Sequence, residues 1–360
     1  MLRNVAETLC FAAFGGLTLG LLGMPAGWLS GAIIAVACAA LAGRPMHIPM
    51  PLMRALLVLI GISLGAVVTP ATLNGMATYP LSIAVLLVAM ACISFSGTAY
   101  LRRVHGWDTL TAHLAAAPGG LSQVMGLAAE LHADIRAIAI VQTIRVVIVA
   151  VGLPAALAAF GLVGHGPTSF GAAFNPALLD ELGILIAAST VASIVADKIR
   201  MPGGLLFGAM LTSGALHGSG MIHAVMPWWV ANTAMIAFGA VTGSRFANTS
   251  VRLLLHYVAA AIGSFAVAVT ITAIFAVGLV GILNLPIAEV MIAYAPGSVD
   301  AMMLLALALH IDPVYVGAHH LTRILYVSVS MPLVARRNAR RLKREAEASM
   351  PPLARPPFQD

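Results

Sequence analysis

Two apolar stretches of this chain are each broken by a Pro-Gly pair, and no other feature restricts the fold more. The first reads Ala115-Ala116-Ala117-Pro118-Gly119-Gly120-Leu121-Ser122-Gln123, the second Tyr294-Ala295-Pro296-Gly297-Ser298-Val299-Asp300. Proline removes a backbone donor and glycine weakens a helix interior, so neither stretch continues as an ordinary helix. The surrounding chain makes that break costly. Of 360 residues, 60% are hydrophobic and 9% charged, with mean hydropathy +0.98, against roughly 25% charged in soluble domains. The chain is therefore expected to be an all-α polytopic membrane protein. In a bilayer, freed backbone groups must find partners other than lipid, so a broken helix lines a cavity or is packed inside protein.

Apolar runs long enough to span lie at about 6–22, 26–43, 50–69, 80–100, 134–162, 176–195, 203–219, 228–247, 255–280 and 313–334. A span takes roughly 20 residues. The broken segments, about 109–131 and 287–309, stand outside this set. A Gly/Pro-rich loop, 163–175, joins two halves, 1–162 and 176–335, and a basic tail, 336–360, follows.

The halves repeat. Met24-Pro25, Gly27, Gly31 and Ala32 match Met201-Pro202, Gly204, Gly208 and Ala209 at a shift of 177 (201 − 24). At a shift of 178 (296 − 118), Gly61 matches Gly239, Gly65 matches Gly243, and Pro118-Gly119 matches Pro296-Gly297. Leu131-His132, Asp134, Arg145 and Pro154 likewise match Leu309-His310, Asp312, Arg323 and Pro332. A register that holds charged residues inside apolar runs implies duplication.

Charge sets the expected topology. If each broken segment is re-entrant and the N-terminus cytoplasmic, Arg44, Arg54, Arg102, Arg103, Arg136, Lys198, Arg200, Arg245, Arg252 and the tail all lie inside, as the positive-inside rule requires. Each half then has five spans and one hairpin, an odd number, so the halves are inverted. If the broken segments cross instead, Lys198, Arg200, Arg245 and Arg252 move outside. The tail block Arg336, Arg337, Arg340, Arg341, Lys343, Arg344 suits anionic lipid on the cytoplasmic side, not nucleic acid. Cys10, Cys38 and Cys92 fall in apolar runs, with neither disulfide nor metal spacing.

The motif Met-Pro-x-Gly-x-x-x-Gly-Ala in both halves, with Ala-Pro-Gly-Gly at 117–120 and Ala-Pro-Gly-Ser at 295–298, resembles the AbrB family of duplicated bacterial membrane proteins over roughly residues 10–335. The resemblance implies an inner-membrane location and a regulatory or transport role, with no assigned substrate and no established catalytic residues. Members also carry an ammonia monooxygenase label. It fits poorly, because the 11 histidines are scattered and an oxygenase metal site needs clustered ligands. No catalytic residue, metal or cofactor is expected.

Arg145 and Arg323 lie about ten residues into their spans, near mid-depth. Each either clamps an anionic solute or caps carbonyls freed by a broken hairpin. Gly119, Gly120, Ser122 and Gln123 at the first hairpin tip, and Gly297 and Ser298 at the second, are candidate solute contacts, because a helix begins there with exposed N–H groups. Asp300 either couples an ion or caps its own helix. Glu289 is a second candidate coupling acid, or an interfacial residue. His132-x-Asp134 and His310-x-Asp312 favour helix capping, with Pro313 at N1, over a proton relay, and Gln142, His319 and His320 lie on the arginine helices as candidates to line the path. The expected function is secondary transport of a small anionic or polar solute by alternating access. The alternative is a membrane-embedded regulator that acts without solute flux. Expected partners are that solute and membrane lipid, and a homodimer is possible.

Overall fold

The computed structural model describes residues 2–68, 79–119, 121–131, 133–164, 175–247 and 249–349. These residues form an all-helical array. The first part contains α1 (Leu2–Leu21), α2 (Gly27–Leu41), α3 (Met50–Gly65), α4 (Tyr79–His105), α5 (Thr109–Ala116), α6 (Leu121–Glu130) and α7 (Ile135–Ala159). The second contains α8 (Leu179–Lys198), α9 (Gly204–Gly218), α10 (Trp228–Gly243), α11 (Val251–Leu283), α12 (Ile287–Tyr294), α13 (Val299–Ala308) and α14 (Pro313–Ser349).

Among the described residues, five segments are long and apolar enough to cross a bilayer: α1, α4, α7, α11, and α8 with the short 3-10 turn before it. The chain is thus an α-helical, multi-pass membrane-type protein. Ten full-length spans were expected, but α2, α3, α9 and α10 have only 15 or 16 residues. At 1.5 Å per residue each is about 24 Å or less, short of the roughly 30 Å hydrocarbon core. Glycines and prolines explain their ends. Gly43 and Gly220 follow α2 and α9 with positive φ, and Pro49 and Pro227 sit just before α3 and α10.

Glycine also brings these short helices together. A Cβ at Gly61 on α3 would lie 2.3 Å from the Leu206 carbonyl, and one at Gly65 would lie 2.4 Å from that of Met210. Both partners are on α9, so α3 and α9 run parallel and backbone to backbone. On α10, Gly239 and Gly243 meet Leu29–Ala32 and Ile33–Val36 of α2 in the same sense. Ser213 Oγ ties the first pair further by donating to the Ile62 carbonyl at 2.8 Å. In contrast, α1 meets α2 antiparallel, with Gly15 against Gly31 and Gly20 against Trp28.

Carboxylates start the helices that carry the buried arginines. Asp134 Oδ1 accepts from the Arg136 and Ala137 amides at the head of α7, each at 3.0 Å. Asp312 Oδ1 accepts from the Val314 and Tyr315 amides at 2.8 and 3.3 Å at the head of α14. Pro313 takes the first helical position, where its missing N–H costs nothing. Tyr257 donates to Asp134 and Tyr79 to Asp312, each at 3.3 Å.

Candidate functional site at the two helix breaks

The breaks lie where the Pro-Gly pairs stand. The chain leaves helix after Ala116 and re-enters it at Leu121; it leaves again after Tyr294 and re-enters at Val299. Both junctions are deeply buried, with Ala117 fully buried and Ala295 3% exposed. Pro118 and Pro296 deprive the Leu114 and Ile292 carbonyls of their helical donors, while those of Ala117 and Ala295 accept from the Gly119 and Gly297 amides; a carbonyl left unpaired there would cost several kcal/mol, on the order of the penalty for a polar group in hydrocarbon.

Side chains from α7 and α14 bond them. Gln142 Nε2 donates to the Leu114 carbonyl at 2.8 Å, and Arg145 donates to those of Ala117, at 2.8 Å, and Ala116, at 3.4 Å. Gln142 and Arg145 are three positions apart, so both reach from one helix face. In the second half His320 Nε2 meets the Ile292 carbonyl at 3.1 Å and Arg323 bonds that of Ala295. Donors and acceptors in the two sets are 178 positions apart. Carbonyl capping, one of the two roles open to these arginines from sequence, is thus present in both halves.

Capping leaves their charge unbalanced. Arg145 is 5% and Arg323 2% exposed, and the two guanidiniums lie within electrostatic reach of each other. The ion pairs found among the described residues, Arg44–Glu7 and His223–Glu181, are more exposed and lie elsewhere. Arg145 Nε and Arg323 Nη2 have no hydrogen-bond partner among the described residues. Two buried like charges with free N–H donors form a site whose complement is an anion.

The hairpin tips differ. Gly120 and the side chains of Ser122 and Gln123 lie outside the described residues, as does His132. Gly119 sits against Val327 of α14 and Gly297 against Met302. At the second tip Ser298, not Asp300, is the cap: its Oγ accepts from the Ala301 amide at 3.4 Å. Asp300 is half-buried in the first turn of α13, within electrostatic reach of Arg245. Arg245 Nη1 is buried without a hydrogen-bond partner among the described residues. Glu289 stands in the first turn of α12, half-buried, within reach of Asp312, Tyr79 and Tyr315.

One cluster was not anticipated. Ser82 of α4 is fully buried. Its Oγ lies 2.6 Å from Tyr315 Oη and 2.7 Å from His319 Nε2. Tyr294 Oη donates to the Ser82 carbonyl at 2.5 Å. The Tyr79 ring packs edge-on to Tyr315 and His319, with centroids 5.3 and 6.1 Å apart. Ser82 and its partners are 212 to 237 residues apart in sequence, so no local motif announces them. The described residues contain no group of three or more His, Cys, Asp or Glu able to hold a metal ion.

The family model for AbrB, "Transition state regulatory protein AbrB", matches residues 28–339. The chain belongs to the AbrB family. Among its relatives is "Uncharacterized protein YhjN" of Bacillus subtilis (strain 168), 27% identical over 365 residues and covering 92% of each chain. Another is "Putative regulator AbrB" of Escherichia coli (strain K12), 24% identical over 316 residues, which are 87% of this chain and 90% of that one.

Proposed function

We propose that this AbrB-family protein is a secondary carrier of a small anion, held between Arg145 and Arg323 where the two broken helices meet. The observation that carries the reading is the pair of buried guanidiniums, within electrostatic reach of each other, with spare N–H donors and no carboxylate bonded to either among the described residues. An intramembrane arginine costs at least about 2.5–3.5 kcal/mol, and the carbonyls that Arg145 and Arg323 bond carry no balancing charge. A bound carboxylate, phosphate or sulfonate would offset that cost at both residues at once.

The proposed architecture is an inverted repeat. Consecutive spans joined by a short loop run antiparallel, so α2 opposes α3. The parallel packing of α3 on α9, and of α10 on α2, then makes α9 oppose α2, its counterpart 177 positions earlier. On this plan the hairpins enter from opposite faces and expose the anion site alternately. The positive-inside rule favours cytoplasmic termini in an inner membrane.

The test is flux. Protein in liposomes is assayed for exchange of radiolabelled small carboxylates, phosphate and sulfonates. Arg145→Gln and Arg323→Gln are expected to insert normally and to lose uptake. Wild-type rates in both variants would refute the clamp. The name of the Escherichia coli relative, "Putative regulator AbrB", suggests a second reading, a membrane regulator that binds a ligand without moving it. Truncation after Leu333 separates the two, because a carrier keeps its flux whereas a sensor loses its output.

A further inference from the structure

The neighbouring histidines of α14 are bonded in opposite senses. His320 Nε2 faces the Ile292 carbonyl at 3.1 Å, and a carbonyl only accepts, so Nε2 carries the proton. Its Nδ1 is then bare and accepts from Arg323 Nη1 at 3.1 Å. A second proton on Nδ1 would point at that N–H donor. His320 therefore stays neutral as long as Arg323 keeps its place.

His319 is arranged the other way. Nδ1 faces the Tyr315 carbonyl at 2.7 Å and carries the proton. Nε2 is the acceptor, taking the Ser82 hydroxyl at 2.7 Å, while Tyr315 donates to Ser82 Oγ at 2.6 Å. Tyr294 Oη is 3.5 Å from Ser82 Oγ. If the Ser82 proton turns toward Tyr294 Oη, Ser82 Oγ can accept from Tyr315 and from a protonated Nε2 together. The imidazolium then has both N–H groups bonded, and only one hydroxyl has rotated.

A cavity lies beside this group, one tyrosine away. Asp312 borders a cavity of about 300 Å³, lined also by Val67, His310 and Pro313. Tyr79 donates to Asp312, and its ring touches Tyr315 and His319. The titratable groups against His319 are Tyr79 from α4, Tyr294 from α12 and Tyr315 on α14; His320 is within electrostatic reach, and Glu289 and Asp312 stand behind Tyr79, Glu289 also near Tyr315. The other helices touching α14 bring Asp300, which faces Arg245, and His113, whose Nδ1 is 3.1 Å from Thr98 Oγ1.

The equivalent place in the first half is filled differently. Positions 178 from Ser82, Tyr294, Tyr315 and His319 are Ala260, Ala116, Ala137 and Val141. Small apolar residues therefore suffice to pack such a site, and the polar set in one half alone needs another reason.

We infer that His319 is the proton-carrying group of the transport cycle, loaded through the Asp312 cavity and accommodated by Ser82, while His320 serves as a fixed acceptor for Arg323. This rests on the anion-carrier reading. A hydronium in the cavity gives up one O–H bond as one Nε2–H bond forms, leaving neutral water and an imidazolium, and no heavy-atom bond changes. An imidazolium near Arg323 is favoured when an anion is present, so proton and anion assist each other's binding reciprocally.

The experiment uses the full protein in lipid nanodiscs with ¹⁵N-histidine, titrated from about pH 8 to about pH 5, where imidazoles ordinarily change charge. Sulfate and methanesulfonate, which do not titrate in this range, are the probe anions. The expected result is that His319 starts as the Nδ1–H tautomer and becomes imidazolium with anion present, while His320 keeps the Nε2–H tautomer throughout. Probe Kd should fall by up to tenfold per unit decrease in pH. That dependence should survive in Ser82→Thr and disappear in Ser82→Ala and His319→Gln. Titration of His320 instead, or an unchanged His319 spectrum across the range, overturns the inference. Failure of both probes to bind counts against the anion reading, and the histidine spectra still decide which ring takes the proton.

Discussion

Replacing Gly61 by alanine tests whether the two halves are held together by direct backbone contact. The added Cβ would lie 2.3 Å from the Leu206 carbonyl oxygen and 2.7 Å from Ala209 Cβ. A carbon rests at about 3.3–3.6 Å from a carbonyl oxygen, so the shortfall is roughly 1 Å. No rotamer change relieves it, because the nearest obstacle is main chain. The helices α3 and α9 must part, and a gap of about 0.5–1 Å forfeits a quarter to a half of each contact well along the interface. Overpacking of this kind costs about 1–3 kcal/mol, or roughly 5- to 140-fold in the folding equilibrium. Gly239→Ala, with Ala32 Cβ at 2.6 Å and the Leu29 carbonyl at 2.9 Å, should fall at the lower end of that range. Gly278 on exposed α11 surface has nothing within 4 Å, so Gly278→Ala should be neutral or stabilising by about 0.5–1 kcal/mol. The assay is equilibrium unfolding in mixed micelles by tryptophan fluorescence. Wild-type stability of Gly61→Ala, or equal effects at Gly61 and Gly278, would refute the close packing.

Other perturbations separate capping from ligand binding. Gln142→Leu strands the buried Leu114 carbonyl and should lower stability by about 1–3 kcal/mol in the same unfolding assay. Asp312→Ala removes the acceptor of two α14 amides and should cost about 0.5–2 kcal/mol. Tyr79→Phe and Tyr257→Phe should each cost about 0.5–1.5 kcal/mol, with Tyr257 at the low end because its bond to Asp134 is exposed. In a Cys-free background, single cysteines at Lys198 and Gly218 should be labelled by an impermeant maleimide from opposite sides. Labelling of both from one side would contradict the inverted arrangement.

The fold was legible where single residues dictate backbone behaviour. Pro118 and Pro296 cannot continue a helix, and the helices stop beside them. Asp312-Pro313 spelled a helix start, and α14 starts there. The short spans were not foreseen, because the apolar runs 26–43 and 203–219 include the turn residues beside Gly43 and Gly220, which α2 and α9 leave out. At the site, the positions of Arg145 and Arg323 on their helices could be read from sequence, as could the need of the breaks for donors. Gln142 and His320 as their co-donors follow from helical spacing only once the breaks are seen to lie against α7 and α14. Asp300 looked like a cap because it opens α13, but Ser298, two residues earlier, takes that bond. Its neighbour Arg245 had counted only as a cytoplasmic loop charge. His319 stood out as a histidine on an arginine helix, but its partners Ser82 and Tyr315 are ordinary residues in apolar helices, and only the packing of α4 on α14 unites the set.

The central claim is that Arg145 and Arg323 together hold an anion. The most direct measurement is the thermal stability of purified protein against a panel of small carboxylates, phosphates, sulfonates and amines, run beside Arg145→Gln and Arg323→Gln. Loss of one charge-assisted bond of about 1.5–3 kcal/mol should weaken the anion by roughly 10- to 140-fold. The account predicts stabilisation by an anion class at concentrations where both variants show none, and no effect of amines. Equal stabilisation of wild type and both variants would contradict it.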